Sequence, residues 1–254
     1  MSSRLQLPIT LQVALNGDRI HPAAPRTPAA IAEAARQAMR AGATAVHVHA
    51  FDHEGQETLD GRVCGEVTRS IRSLCQDLSI SLTTSATIVS DPGERLRIVA
   101  AWSELPDLIT ANQGEHGIVE LCEVLLARGV GIEAGLLTLS DAKTFVASGL
   151  APRCRRVLIE PMETDTNVAL RHAAAIEDVL LAAGIKLEQV HHGYGEACWA
   201  INRRAVTRGH GIRTGLEDVT TLPDGSPAPD NASLVAAAVA SIRAIRGSED
   251  LPRR

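Results

Sequence analysis

The sequence predicts a (β/α)8 barrel, the TIM-barrel fold, as a single domain over residues 1–254. Two observations lead there. Apolar β-type runs alternate with amphipathic helical stretches eight times, each unit taking roughly 25–30 residues, as this fold requires. Glycine then closes five of the helical stretches, at Gly42, Gly129, Gly149, Gly184 and Gly209, as helix C-terminal caps do.

The first strand is expected over 10–16, and Thr27-Pro28 opens the first helix as N-cap and first-turn proline, ending at Ala41-Gly42. The second strand covers 44–50, with a helix over 60–77 after the turn-forming Asp52-His53-Glu54-Gly55. Strands at 79–84, 106–111, 131–137, 155–160, 187–192 and 211–216 are followed by helices near 91–102, 115–129, 140–148, 165–183, 196–208 and 230–246. A doubly wound open sheet shares this alternation. It lacks support here, because no G-x-G-x-x-G follows the first strand.

Composition narrows the class. Aromatics make up only 2% of the chain, so branched aliphatics and alanine must build the core, and stacking platforms for single-stranded nucleic acid are excluded. A net charge of −5 leaves no electrostatic footprint for DNA or RNA. No run is long enough to span a membrane, and Met1–Pro8 lacks the apolar core of a secretory leader. Five scattered cysteines without a C-x-x-C read as reduced thiols, so a cytoplasmic location is expected.

In a barrel of this kind the reactive groups gather at the C-terminal ends of the strands. Those ends carry Asn16, His47 with His49, Thr83-Thr84-Ser85, Thr110 with Asn112, Glu133, Glu160, His191-His192, and Arg213 with Glu217-Asp218. Capping accounts for Asn, Thr and Ser at such turns, but not for the histidines, the glutamates or the arginine. His47 and His49 stand two apart on one strand and therefore share a face, which makes them half of a divalent-metal site or a pair of ordinary buried histidines. Arg213, Gly215 and Glu217 share parity on the last strand, so Glu217 is placed to add an oxygen ligand. The plainer reading of that segment is an arginine–carboxylate pair closing the barrel. For Asp218, burial would raise the pKa and Arg213 would lower it; the sequence leaves the balance open. Glu160, His191 and His192 stay unassigned, although a glycine-rich His191–Gly195 turn suits either phosphate binding or tight packing.

These residues resemble the β-keto acid cleavage enzymes, whose founding member cleaves 3-keto-5-aminohexanoate. The resemblance runs through Ala14-Leu15-Asn16-Gly17, the Thr27–Ala35 helix start, Ala41-Gly42-Ala43, His47-Val-His49-x-x-Asp52-x-x-Gly55 and Leu82-Thr83-Thr84-Ser85. It continues through Thr110-x-Asn112, Glu133, Gly211-Ile-Arg213-Thr-Gly215-Leu-Glu217-Asp218 and Asn231-Ala-x-Leu-Val. The resemblance implies a cytosolic, zinc-dependent homo-oligomer (dimer or tetramer) that condenses a β-keto acid with acetyl-CoA, releasing acetoacetate and a new acyl-CoA. Carried over, His47, His49 and Glu217 would hold zinc. Thr83, the Ala86 backbone, Thr110 and Asn112 would cradle the substrate, with Glu133 as a further contact. Arg213 and Asp218 would serve the acid–base steps. The chain departs from the family pattern where Ala50-Phe51 replaces Arg-Asp after the second histidine. It departs again where Ser85-Ala86 replaces two glycines, and where Arg19 stands near an acidic residue's place. Arg19 would suit an anionic or neutral substrate.

Two other classes fit the same H-x-H: another metal-assisted barrel enzyme, either an aldolase-type lyase or a hydrolase, and a ligand-binding barrel without activity. The near-absence of lysine (Lys143 and Lys186) counts against a hydrolase with a lysine-bridged metal pair.

Overall fold

A computed structural model describes residues 9–247, so Met1–Pro8 and the outermost ends of the 1–254 domain expected above lie outside it. Eight parallel strands pair in sequence order and close on themselves: β1 (Leu11–Ala14), β2 (Ala45–Val48), β3 (Ser79–Thr83), β4 (Leu108–Asn112), β5 (Gly131–Leu136), β6 (Arg156–Ile159), β7 (Glu188–His191) and β8 (Gly211–Thr214). Closure joins β1 to β8 with Gln12 opposite Arg213. The helices are α1 (Pro28–Ala41), α2 (Gly61–Leu74), α3 (Pro92–Ala100), α4 (Ile118–Ala127), α5 (Leu139–Ser148), α6 (Thr166–Ala182), α7 (Cys198–Thr207) and α8 (Asn231–Gly247). Every predicted element is present, with strand ends shorter by one to three residues in most cases.

Local chemistry explains the helix boundaries. Thr27 Oγ1 accepts from Ala30 N–H at the start of α1, and Pro28 occupies the first turn, where no N–H is needed. Asp60, Asp91 and Asp165 cap α2, α3 and α6 in the same way, and Thr138 with Asp141 forms a reciprocal capping box on α5. All five helix-ending glycines have positive φ, from 70° at Gly184 to 123° at Gly42.

Strand parity sorts the side chains into two shells. Outward residues such as Val13, Val46, Ile80, Ile109, Ile132, Val157 and Ile212 pack against the helices in one continuous apolar layer that also includes Trp102 and Phe145. Inward residues are largely polar: Gln12, His47, Ser81, Thr110, Glu133 and Arg156 are buried and bond to one another across the barrel. The five cysteines are buried and form no disulfide, as their scatter implied. Among the described residues, no helix is long and apolar enough to cross a membrane.

Candidate active site

At the C-terminal mouth of the barrel, His47 and His49 project from the end of β2 with ring centroids 5.2 Å apart. Glu217 Oε2 lies 3.7 Å from the Nε2 of each. The three side chains offer ligand atoms that all lie within 4.8 Å of one another, a spacing that fits one divalent cation. Two features support the fit. Glu217 Oε2 is buried and has no hydrogen-bond partner, while Oε1 is held by Arg213 at 2.7 Å. Each imidazole also presents Nε2 because its Nδ1 is engaged from behind. His49 Nδ1 lies 2.8 Å from Glu57, and His47 Nδ1 lies 3.2 Å from Thr110 Oγ1. Burial, then Arg213 and His49, push His47 well below its usual pKa, so its lone pair is free for a cation.

The route by which Glu217 arrives differs from the expectation. β8 stops at Thr214, so Glu217 does not share a strand face with Arg213. Gly215 turns the chain, its carbonyl accepting from the N–H groups of both Asp218 and Val219 at 2.9 Å. A Cβ on Gly215, at φ 154°, would sit 2.0 Å from the Ala14 carbonyl oxygen, so only glycine permits this close crossing of β1. A side chain at Gly17 would likewise strike Glu217 Cγ at 2.5 Å. The Gly17 turn and the Gly215 turn together make room for the ligand.

Asp218 is fully buried and receives Arg213 through two bonds, Nε at 3.0 Å and NH2 at 2.7 Å. Its other neighbour is His192, whose Nδ1 is 3.4 Å away and whose Nε2 is 2.9 Å from Glu160. Burial alone would raise the Asp218 pKa, but Arg213 and His192 outweigh it and hold the carboxyl below the ordinary range. The balance left open by the sequence therefore falls to the arginine.

The remaining expected residues divide between the mouth and the layer beneath it. Thr83 and Asn112 end β3 and β4 at the mouth. Thr110 lies behind His47, between it and Glu133 Oε2 at 3.3 Å. Glu133 is not at a strand end, since β5 runs on to Leu136. It is fully buried and bonded to Gln12, Ser81 and Arg156 Nε, the last at 2.7 Å. The Ala86 N–H is occupied by this chain's own Glu115, 2.9 Å away. Arg19 reaches the rim, where Nε donates to the Glu217 carbonyl at 3.1 Å and the guanidinium lies over the Tyr194 ring. In the His191–Gly195 turn, His192 faces the mouth while His191 stacks on His210, and the Gly195 N–H donates to the Asp218 carbonyl. Burial and His210 push His191 down to about 3.

Glu57 is absent from the residues the sequence singles out, and Asn16, counted among the strand ends, has no role assigned to it there. Glu57 comes back beside His49 because Phe51 and Glu57 form an antiparallel bridge around the Asp52 turn. Asn16 Oδ1 accepts the His49 N–H at 2.9 Å and its Nδ2 donates to the His49 carbonyl, which pins the backbone of that ligand. A polar residue eight positions after an H-x-H, beyond a turn, was the only signal for Glu57.

The fold and this constellation define a (β/α)8 barrel whose mouth carries a two-histidine, one-carboxylate cluster able to hold a cation. A family profile described as beta-keto acid cleavage enzyme matches residues 8–150 and 173–248, and the chain belongs to that family. It is 25% identical over 232 residues to the 3-keto-5-aminohexanoate cleavage enzyme of Fusobacterium nucleatum subsp. nucleatum, covering 85% of this chain and 82% of that protein. Among solved structures, ObcA bound to oxaloacetate superposes with a TM-score of 0.69 at 16% identity, over 89% of this chain. This chain spans only 64% of that ObcA chain. The 3-dehydroquinate dehydratase of Aquifex aeolicus VF5 has a TM-score of 0.58 at 12% identity, over 93% of this chain and 98% of that one. Both structures share the barrel.

Proposed function

We propose that this protein is a zinc-dependent enzyme that condenses a β-keto acid with acetyl-CoA and releases acetoacetate and a new acyl-CoA. The observation that carries the reading is Glu217 Oε2, a buried carboxylate oxygen without a bond partner that faces two imidazole nitrogens at 3.7 Å. A cation held there supplies Lewis acidity, polarising a ketone oxygen so that charge built during addition is already stabilised.

The chain's own groups supply the rest. Arg213 holds Glu217 and Asp218 in one orientation, with both carboxylates bonded to the same guanidinium. Asp218, kept ionised by Arg213 and His192, is an acceptor for the proton that must leave as a carbon–carbon bond forms or breaks. Thr83 and Asn112 at the ends of β3 and β4 are the proposed contacts to the keto acid, and Arg19 at the rim is a contact for its distal end. Thr110 and Glu133, read first as substrate contacts, are better suited to orienting His47. A homo-oligomer in the cytoplasm belongs to the same proposal, and light scattering of the purified protein tests the first half of it.

The deciding experiment incubates zinc-loaded protein with acetyl-CoA and a panel of β-keto acids and assays acetoacetate. Acetoacetate formation that depends on both substrates and is abolished by chelation is expected. Zinc-loaded, folded protein that forms none with any keto acid refutes the proposal and leaves the lyase, hydrolase or binding-barrel readings.

A further inference from the structure

Outside the mouth, one stripe of α7 floors a groove that the chemistry described so far does not use. Trp199, Ala200, Arg203, Arg204, Thr207 and Arg208 recur at steps of three and four residues, so they share one helix face. The cavity above them measures about 860 Å³, with Leu170 of α6 on one side and Leu222 and Pro223 of the loop after β8 on the other. That is the size of a site for an organic ligand, which typically takes about 300–1,000 Å³. The groove begins beside the mouth. Gly195, whose N–H donates to the Asp218 carbonyl at 2.8 Å, is followed directly by Glu196 on the cavity wall. From Trp199 to Arg208 the floor then runs roughly 14 Å along the helix, at about 1.5 Å per residue.

The two ends of the groove differ in chemistry. At the mouth end stands Trp199, one of two tryptophans in the chain. The other, Trp102, is buried in the core with Nε1 bonded to the Leu59 carbonyl. Trp199 is only part-buried, and its Nε1 donates to the Thr221 carbonyl at 2.9 Å, which fixes the indole where it lines the cavity. At the far end three guanidinium groups gather. Arg204 and Arg208 bond the two oxygens of Glu177 on α6 at 2.6 and 2.7 Å, so one carboxylate holds two cations in place. Arg208 spends Nε and Nη2 on that carboxylate, which leaves Nη1 uncommitted. Arg203 is exposed and its guanidinium has no carboxylate partner among the described residues. Three of the lining residues are thus arginines and only Glu196 is acidic, in a chain whose net charge is −5. Guanidinium forks without a carboxylate suit phosphate oxygens, and a fixed indole suits a flat base.

We propose that this groove binds the phosphorylated adenosine end of coenzyme A, with the adenine against Trp199 and the phosphates on Arg203 and Arg208. The proposal rests on the reading that acetyl-CoA is the co-substrate. It places the nucleotide outside the barrel, so that only the thioester arm enters the mouth beside Asp218.

Calorimetry on the purified full chain tests this with coenzyme A, ADP and pantetheine as ligands. Coenzyme A and ADP should bind with affinities that fall as salt rises, and pantetheine should bind about tenfold or more weakly than coenzyme A. Arg203→Glu reverses an exposed charge without breaking an ion pair, and should weaken coenzyme A and ADP about tenfold while leaving pantetheine unchanged. Trp199→Leu should weaken the same two ligands. In turnover, Arg203→Glu should raise the KM for acetyl-CoA and not that for the keto acid. Wild-type protein that does not bind coenzyme A, or a folded Arg203→Glu protein that binds it within about twofold of wild type, overturns the groove. ADP binding that is lost in Arg203→Glu while coenzyme A binding is kept also overturns it, because a free nucleotide is then the occupant. If coenzyme A binds through Arg203 yet no keto acid gives acetoacetate, the groove stands and the reaction reading falls.

Discussion

Replacing Thr110 by valine isolates the support behind the proposed metal centre. Thr110 Oγ1 lies 3.2 Å from His47 Nδ1 and 3.3 Å from Glu133 Oε2. For His47 to offer Nε2 to a cation, its Nδ1–H donates to Thr110, whose hydroxyl hydrogen then goes to Glu133. Valine matches threonine in shape and β-branching, so β4 keeps its conformation. Glu133 keeps Gln12, Ser81 and Arg156, so its charge stays compensated. What disappears is the acceptor that fixes the His47 ring. Loss of such an outer partner typically lowers metal affinity about 10–100-fold. That corresponds to about 1.4–2.8 kcal/mol, at about 1.4 kcal/mol per tenfold. Removing one buried hydrogen bond should cost the metal-free fold about 1 kcal/mol. Competition titration of zinc against a chromophoric chelator measures the first quantity, and thermal unfolding in excess EDTA the second. A folded Thr110→Val protein that binds zinc within twofold of wild type would refute the idea that this hydroxyl orients His47. A His47→Ala protein with undiminished zinc affinity would remove the centre altogether.

Three further outcomes follow from the same geometry. Asp218→Asn should keep zinc binding through Glu217 but lower acetoacetate formation by about 100-fold or more, the scale of a lost proton-transfer group; turnover within tenfold of wild type assigns that step elsewhere. Arg156→Leu strands the fully buried Glu133 without its cation and should destabilise the barrel by about 3 kcal/mol, near the low end for a broken buried pair because Gln12 and Ser81 remain. Chemical denaturation showing less than about 1 kcal/mol contradicts this. Glu177 is pushed up by burial but held at about 2, against an ordinary 4.5, by bonds from Arg208, His210 and Arg204. A folded pKa below the unfolded one stabilises above pH 4.5 and is lost as pH falls toward 2. Glu177→Gln should therefore lower the melting temperature at pH 7 and flatten its fall between those two values, and an unchanged acid limb disproves the linkage.

Local rules made most of the barrel readable. Period-two apolar runs, the Thr27-Pro28 helix start and glycines at helix ends each act within a few residues, and the structure satisfies them where they were expected. The His47–His49 pair was readable for the same reason, since side chains two apart on a strand share a face whatever surrounds them. Glu217 was assigned to the cation by a different route from the one the chain takes. Strand parity was extended past Thr214, yet Gly215 crosses the Ala14 carbonyl of β1 and ends the strand. That crossing depends on a partner some 200 residues away, and no local pattern around 211–218 encodes it.

The same distinction separates the residues that touch a reactive group from those that hold it. Glu133 reads as a strand-end carboxylate, whereas barrel closure sets it one layer down, bonded to Gln12 from β1 and Arg156 from β6. Its depth is a property of strand stagger, which only the closed sheet defines. Glu57 and Thr110 become meaningful only once His49 and His47 are in place, because each acts on the far nitrogen of a ring that faces the mouth. A buried polar interior of this kind is costly unless every member is paired, and here Glu133 collects donors from four strands. The cost is sustained because the network ends on His47 Nδ1. A barrel that needed only stability would be better served by filling those inward positions with aliphatic side chains. The retention of charge at the centre of this fold therefore argues for the orientation of the histidine pair as the property the interior is built to deliver.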